Sequence, residues 1–189
     1  MTTTRGNNSK ARRTTRFATF AATLLAAALF AQAHDHGAGS RQELTQARAA
    51  FERFKKLEGT WKGHSTKGWE ESVGFKTIAG GSVVVESSFD AHPDETMMTM
   101  VHMDGDRLML THYCVAKNQP RLVATSFADD GKTVTFTFLD GANIPARDRG
   151  HMDKAVFRFI DDDHVSSQWT WYQNGKEQWM EDIKLERRR

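Results

Sequence analysis

The sequence has a single cysteine, Cys114, among its 189 residues. An intrachain disulfide is therefore impossible, and the stability of the folded chain must come from packing. The sequence also lacks a serine nucleophile elbow, an HExxH metal-binding pair and a glycine-rich phosphate loop. These absences exclude the enzyme classes that the motifs define. They leave enzymatic activity open but favour a protein that is not an enzyme.

A long hydrophobic run occurs only near the N-terminus. Residues 1–33 combine a basic start, an uncharged stretch from Phe17 to Phe30 and an A-x-A cleavage signal at residues 31–33. This pattern predicts a secretory signal peptide whose apolar run is too short for a membrane span. We therefore expect export to the periplasm or the extracellular space, with no stable membrane insertion after cleavage.

A basic charge balance is missing once this segment is removed. Residues 1–33 contain five of the 26 basic residues and none of the 24 acidic ones, so 21 basic residues remain. The remaining chain is net acidic, with a charge of −3. This balance argues against nucleic acid as a partner. The arginines at 187–189 are interpreted as a solvated chain end.

The chain after residue 33 divides into three predicted parts. Residues 34–40 form a flexible polar leader, and residues 41–57 form an amphipathic helix. A capping box at Ser40 and Glu43 begins this helix, apolar residues recur in it at spacings of three and four, and Gly59 ends it. Residues 58–186 form the third part, a single β-domain.

Apolar residues alternate with polar ones through this third part, and turn residues interrupt the alternation. Ten strands are predicted, with tight turns at Asp104-Gly105 and Asn174-Gly175. Such a meander removes its exposed edges by closing on itself. The predicted fold is therefore all-β, an up-and-down antiparallel barrel of about ten strands with an N-terminal helix. A longer loop from Asp140 to Gly150 is predicted to form a flap over one mouth.

The segment Gly59-Thr60-Trp61-Lys62-Gly63 resembles the opening of calycin barrels, the superfamily that includes the lipocalins. In that resemblance Trp61 plugs one end of the barrel and Gly59 lets the chain pass beneath it. The segment from Met103 to Cys114, with Asn118-Gln119-Pro120, is similar to uncharacterised secreted bacterial lipocalin-like proteins. The resemblance implies a barrel with an internal cavity for a small apolar molecule.

A more distant similarity is to nitrobindin-like barrels, which bind haem. They open with Gly-x-Trp-x-Gly-x-Gly and carry a proximal histidine late in the chain. Here Ser65 replaces the third glycine, and the one histidine after Lys154, His164, lies at a predicted turn. Haem is therefore a secondary prediction.

His112 lies in the most distinctive candidate site. On a strand, His112 and Cys114 point to one face and Tyr113 to the other. With a two-residue turn at Asp104-Gly105, Met97 lies opposite His112, and an apolar wall surrounds the imidazole and the thiol. This wall is interpreted as a ligand anchor, as half of a soft metal site, or as core packing around a buried histidine. A three-residue turn would instead place His102, Met109 and Tyr113 inside.

Four other residues are candidate ligand contacts. Asn118 and Gln119 can bond a ligand at the mouth or form a tight turn. His151 starts the strand after the long loop and is either a rim residue or a solvated histidine. Trp169 belongs to the aromatic face of a late strand, which either packs the core or lines a cavity.

The predicted new N-terminus provides a further metal hypothesis. Cleavage after Ala33 would leave His34-Asp35-His36, whose amine, amides and third-position imidazole suit Cu(II) or Ni(II). A disordered polar leader is the alternative interpretation.

Three functions follow as alternatives. The first is an exported, non-enzymatic barrel that binds a small apolar molecule near His112. The second is a haem protein or an enzyme on the same scaffold, with His112 or His151 as the axial ligand or the base. The third is a structural or interaction barrel without a cavity.

Overall fold

A computed structural model describes residues 41–88, 96–129 and 131–189. The predicted signal peptide, the leader with His34 and His36, and the capping residue Ser40 lie outside these residues. The described chain is one α-helix, α1 (residues 41–55), followed by a β-barrel that includes a short 3₁₀ helix at Ala79–Gly81. Within the described residues, no helix has the length and apolar character needed to cross a membrane.

Ten antiparallel strands form the barrel, as the alternation predicts. Each strand pairs with its sequence neighbours, and the last pairs with the first, so the sheet closes without an edge. The strands are β1 Gly59–Ser65, β2 Glu70–Ile78, β3 Val83–Ser88, β4 Met97–Asp104, β5 Arg107–Tyr113, β6 Gln119–Ala128, β7 Thr133–Ala142, β8 His151–Phe159, β9 His164–Gln173 and β10 Lys176–Arg187.

Helix α1 packs across one end of the barrel, which we call the helix end. Phe54 is fully buried there, and its ring lies edge-on to Phe157 and Phe159, with ring centroids 5.0 Å apart in both pairs. The amphipathic pattern of α1 explains this position, because its apolar face meets the inward-pointing aromatic residues of β7 and β8. The helix end is a filled hydrophobic core.

Trp61 is fully buried at this end, where its indole Nε1 donates to the Leu57 carbonyl oxygen at 2.7 Å. Arg187 lies over the Trp61 ring at 4.3 Å and donates to the carbonyl oxygens of Lys56 and Glu58. The interpretation of residues 187–189 as a solvated end is therefore wrong for Arg187, whereas Arg188 and Arg189 are exposed as predicted. Arg187 ends β10 and joins the last strand to the residues that follow α1.

Of the two predicted hairpin turns, the one at Asn174-Gly175 lies where the sequence predicts it, and the one between β4 and β5 lies one residue later. Asn174 and Gly175 both have positive φ between paired Gln173 and Lys176, as a type I′ turn requires. In the β4–β5 hairpin, however, Asp104 pairs with Arg107, so the two turn residues are 105 and 106. His112 is consequently opposite Thr99 and not Met97, a shift of two residues that leaves the inward face unchanged.

Gly59 is also placed differently from the prediction. The helix ends at residue 55, and Gly59 is the first residue of β1, with a φ of +130°. An L side chain rarely adopts this backbone conformation, so glycine is needed where the chain leaves the helix and enters the barrel.

Candidate polar cavity

The end of the barrel opposite α1, here called the polar end, contains a small, partly open cavity of about 50 Å³. This volume suffices for a few water molecules or a ligand of a few atoms. Its lining combines three glutamates with polar and apolar side chains: Glu71, Glu86, Ser88, Met97, Thr99, His112, Met152, Trp169, Glu181 and Ile183.

The three glutamates were not predicted as site residues, although the alternation of the strands carries the signal. Glu71 lies in phase with the buried Val73 of β2, and Glu86 in phase with the buried Val84 of β3. Glu181 likewise shares the inward face of β10 with Leu185. A carboxylate in phase with buried apolar residues points into a barrel.

Neighbouring side chains hold two of these carboxylates in place. Ser88 donates a hydrogen bond to Glu71, and Ser65 donates one to Glu181. Gly63 is the cross-strand partner of Glu71, and a Cβ at Gly63 would lie only 2.6 Å from the Glu71 Cγ. The absence of a side chain at Gly63 therefore leaves the space that Glu71 occupies.

His112 belongs to a row of cross-strand neighbours on the inward face. Glu86 of β3 pairs with Thr99 of β4, and Thr99 pairs with His112 of β5. The Thr99 Oγ1 lies 3.1 Å from the His112 Nδ1. The His112 Nε2 is buried without a hydrogen-bond partner. The ring of Trp169 lies against the imidazole, with centroids 5.0 Å apart.

Burial shifts the pKa values of the two titratable groups of this row, Glu86 and His112, in opposite directions. It raises the pKa of Glu86 to about 8, with a further rise from the negative charge of Glu71 that the Thr99 hydrogen bond partly offsets. Burial also lowers the pKa of His112 to about 4. At neutral pH the imidazole is therefore uncharged, and Glu86 holds its proton more tightly than an exposed glutamate does.

The cavity lining has acidic groups and one histidine that is uncharged at neutral pH. This lining, which consists of described residues, includes three glutamates but neither lysine nor arginine. Within the described part of the chain, no group of three or more histidine, cysteine or acidic side chains is arranged to hold a metal ion. The site therefore offers acceptor oxygens to a cationic group without a metal-binding geometry.

Of the predicted site residues, only His112 and Trp169 line this cavity. His102 is on the opposite face of β4 from the buried Val101, and Tyr113 is exposed on the outside of β5. Cys114 is half-buried just after β5, where burial raises the pKa of its thiol. A raised thiol pKa disfavours the nucleophilic thiolate.

Asn118 and Gln119 make contacts with the link between β7 and β8. The buried Asn118 donates through its Nδ2 to the Gly150 carbonyl oxygen at 2.7 Å. Gln119 accepts a hydrogen bond from Asn143 at 3.3 Å. The Asn118 amide nitrogen thus fixes the end of the loop that was predicted to act as a flap, while its Oδ1 is buried without a hydrogen-bond partner.

His151 is fully buried beside the same loop. Its Nε2 lies 2.8 Å from an Arg147 guanidinium nitrogen, and its Nδ1 bonds the Arg149 carbonyl oxygen. Arginine only donates, so Nε2 accepts and Nδ1 carries the proton. Arg147 also lies over the Tyr172 ring at 3.9 Å. Both ring nitrogens are therefore used within the fold.

The fold and its interior define a closed, ten-stranded antiparallel barrel with an acidic cavity at one end. No family model and no curated protein matches the chain. One solved structure that resembles it is a protein of unknown function from the DUF3598 family of Nostoc punctiforme, with 11% sequence identity and a TM-score of 0.46. The match covers 71% of this chain and 49% of that one, so this chain spans about half the length of its structural neighbour.

Proposed function

We propose that this chain is a calycin-like barrel, exported through the signal peptide at residues 1–33, that binds a small molecule with a primary ammonium group. The observation that carries the proposal is the lining of the cavity at the polar end, with three glutamates and neither lysine nor arginine. Buried acidic groups are stabilised by an opposite charge, which an ammonium ligand would supply.

The chemistry of the lining supports an ammonium group over an apolar ligand. Glu71 and Glu181 present carboxylates that serine hydroxyls already orient. Trp169 adds an indole, the aromatic ring that attracts cations best. Met97, Met152 and Ile183 supply the apolar contacts that a short alkyl group attached to the ammonium needs. The sequence analysis identified Met97 and Trp169 of this lining but not the three glutamates.

The size of the cavity limits the ligand. At about 50 Å³ it is well below the roughly 300–1,000 Å³ of pockets that enclose drug-sized molecules. A porphyrin does not fit this space, so we do not propose haem as the ligand. A small amine, or the ammonium end of a longer one, fits both the volume and the charge.

Methylammonium is the simplest probe of this proposal, with methanol as its neutral counterpart. A ceiling of about 1.5 kcal/mol per non-hydrogen atom places the best possible dissociation constant for a two-atom ligand in the millimolar range. We expect saturable binding of methylammonium by NMR titration at constant ionic strength, and no binding of methanol at the same concentrations.

Two variants on β10 locate the binding. Glu181→Gln removes a carboxylate of the cavity and should weaken methylammonium binding tenfold or more, since hydrogen bonds to charged groups contribute about 1.5–3 kcal/mol. Glu186→Gln removes an exposed carboxylate of the same strand and should leave the affinity unchanged. Equal binding of methanol, preferential binding of Ca²⁺, or an unchanged affinity in Glu181→Gln would each overturn the proposal.

A further inference from the structure

We propose that Glu86, Thr99 and His112 form a proton relay in which the charge of Glu86 decides whether the His112 Nε2 donates or accepts a hydrogen bond. The relay itself needs no ligand. Its consequence for ligand binding rests on the proposed function.

The geometry of three adjacent strands carries this inference. Glu86, Thr99 and His112 are direct register partners across β3, β4 and β5, and all three line the cavity. Thr99 stands between the other two: its Oγ1 bonds the His112 Nδ1, and because Thr99 is the register partner of Glu86, we place its second hydrogen bond on that carboxyl group. Thr99 and His112 are only 3% and 5% exposed, so bulk water does not replace the bond between them, whereas Glu86 is half-buried.

A threonine hydroxyl has one proton to donate, which couples its two neighbours. When Glu86 is ionised, Thr99 donates to it and accepts from the His112 Nδ1–H, so Nε2 carries a lone pair. When Glu86 is protonated, it donates to Thr99, and Thr99 donates to Nδ1, so Nε2 carries the hydrogen. The second state holds one more proton than the first, and His112 is neutral in both.

The groups around Glu86 place this change close to neutral pH. Glu71 of β2 adds a like charge, Ser88 lies on the same strand, and Glu181 of β10 lines the same cavity. Burial, followed by the negative charge of Glu71, raises the pKa of Glu86 to about 8, and a hydrogen bond from Thr99 partly offsets the rise. The lowered pKa of His112 keeps the imidazole uncharged through the same range.

The relay matches the needs of an ammonium ligand. An ammonium group only donates, so it binds best when Glu86 is ionised and the His112 Nε2 accepts. Below about pH 8, binding therefore releases a proton from Glu86, and the affinity for methylammonium should rise as the pH rises toward 8. A neutral ligand with an acceptor oxygen would favour the opposite state of the relay.

Nitrogen NMR of the ligand-free protein tests the relay separately from ligand binding. In the wild type, the proton of the His112 ring should move from Nε2 to Nδ1 as the pH rises, with a midpoint near 8. Thr99→Val keeps the shape of the side chain but removes the hydroxyl, so the tautomer should no longer follow Glu86. Glu86→Gln removes the titrating group and should abolish the change without involving Thr99.

Ser88→Ala is the matched control, because Ser88 lines the cavity and bonds Glu71 but is not part of the relay. This variant should retain the pH-dependent tautomer change. A wild-type tautomer that stays constant between pH 6 and 9.5, or a change that survives in Glu86→Gln, would overturn the relay. Neither result depends on methylammonium binding, so failure of the relay is distinguishable from failure of the proposed function.

Discussion

The helix end and the polar end of this barrel are built from the same ten strands but are filled with different chemistry. At the helix end, Phe54, Trp61 and Phe157 are fully buried and tightly packed. At the polar end, Glu71 and Glu181 remain almost as inaccessible but border a cavity. One end is therefore a filled core that stabilises the closed barrel, and the other leaves buried polar groups beside a cavity, where we propose that the ligand binds.

Strand β1 shows how one short motif serves both ends. Gly59 permits the positive φ at the start of the strand, and Trp61 fills the helix end. Four residues after Gly59, Gly63 provides the space for Glu71 at the polar end. Trp61, in the first half of the motif, is therefore a structural plug. Gly63, in the second half, leaves room for a carboxylate of the acidic cavity.

The largest expected effect is the loss of packing at the helix end. Phe54→Ala should lower the free energy of unfolding by about 3–5 kcal/mol, because it leaves a cavity where three phenylalanine rings meet. Urea denaturation measures this change. Ile160→Ala is the control, since Ile160 is 59% exposed and its truncation should change stability by less than about 0.5 kcal/mol. Equal effects of the two variants would contradict the assignment of the helix end as the stabilising core.

A smaller effect concerns the dependence of stability on pH. Because the pKa of Glu86 rises from 4.5 to about 8 on folding, the native protein binds more protons than the unfolded chain between these values, and Glu86 lowers stability as the pH rises. His112 has the opposite effect between pH 4 and 6.5, because its pKa falls on folding. Between pH 6.5 and 8, His112 is uncharged in both the folded and the unfolded chain. Of these two groups, only Glu86 therefore makes stability depend on pH in this range.

Glu86→Gln isolates this contribution. As the pH rises from 6.5 to 8, the free energy of unfolding of the variant should increase relative to that of the wild type, by at most about 1.4 kcal/mol per pH unit. Thermal or urea unfolding at several pH values measures the difference between the two proteins. Parallel pH profiles would show that Glu86 titrates alike in the folded and unfolded chains and would remove the electrostatic contrast between the two ends.

The fold was predictable because alternation and turn residues are local signals. Ten strands, their antiparallel order and the preceding helix follow from them, as does the inward face of His112. The register of β4 on β5 did not follow, because two overlapping dipeptides, Asp104-Gly105 and Gly105-Asp106, each suit a two-residue hairpin turn. The role of Arg187 also could not be predicted, because it depends on a contact between the last strand and residues 56–58.

The candidate site was predictable only in part. His112 and Trp169 were identified as cavity candidates, whereas Asn118 and His151 bond the loop backbone or its arginine. These partners are distant in the sequence or belong to an irregular loop, so no periodicity reveals them. The alternation in the sequence places Glu71, Glu86 and Glu181 on the inward faces of their strands. Only the closed barrel, however, shows that the three carboxylates meet around one cavity.

The most direct test of the contrast between the ends is a map of backbone amide NMR shifts during a methylammonium titration. We predict saturable shifts centred on Thr99, His112 and Trp169, with no change around Phe54 and Phe157. Saturable shifts centred on the helix end, or no saturable shifts at all, would contradict the assignment of the polar end as the binding site.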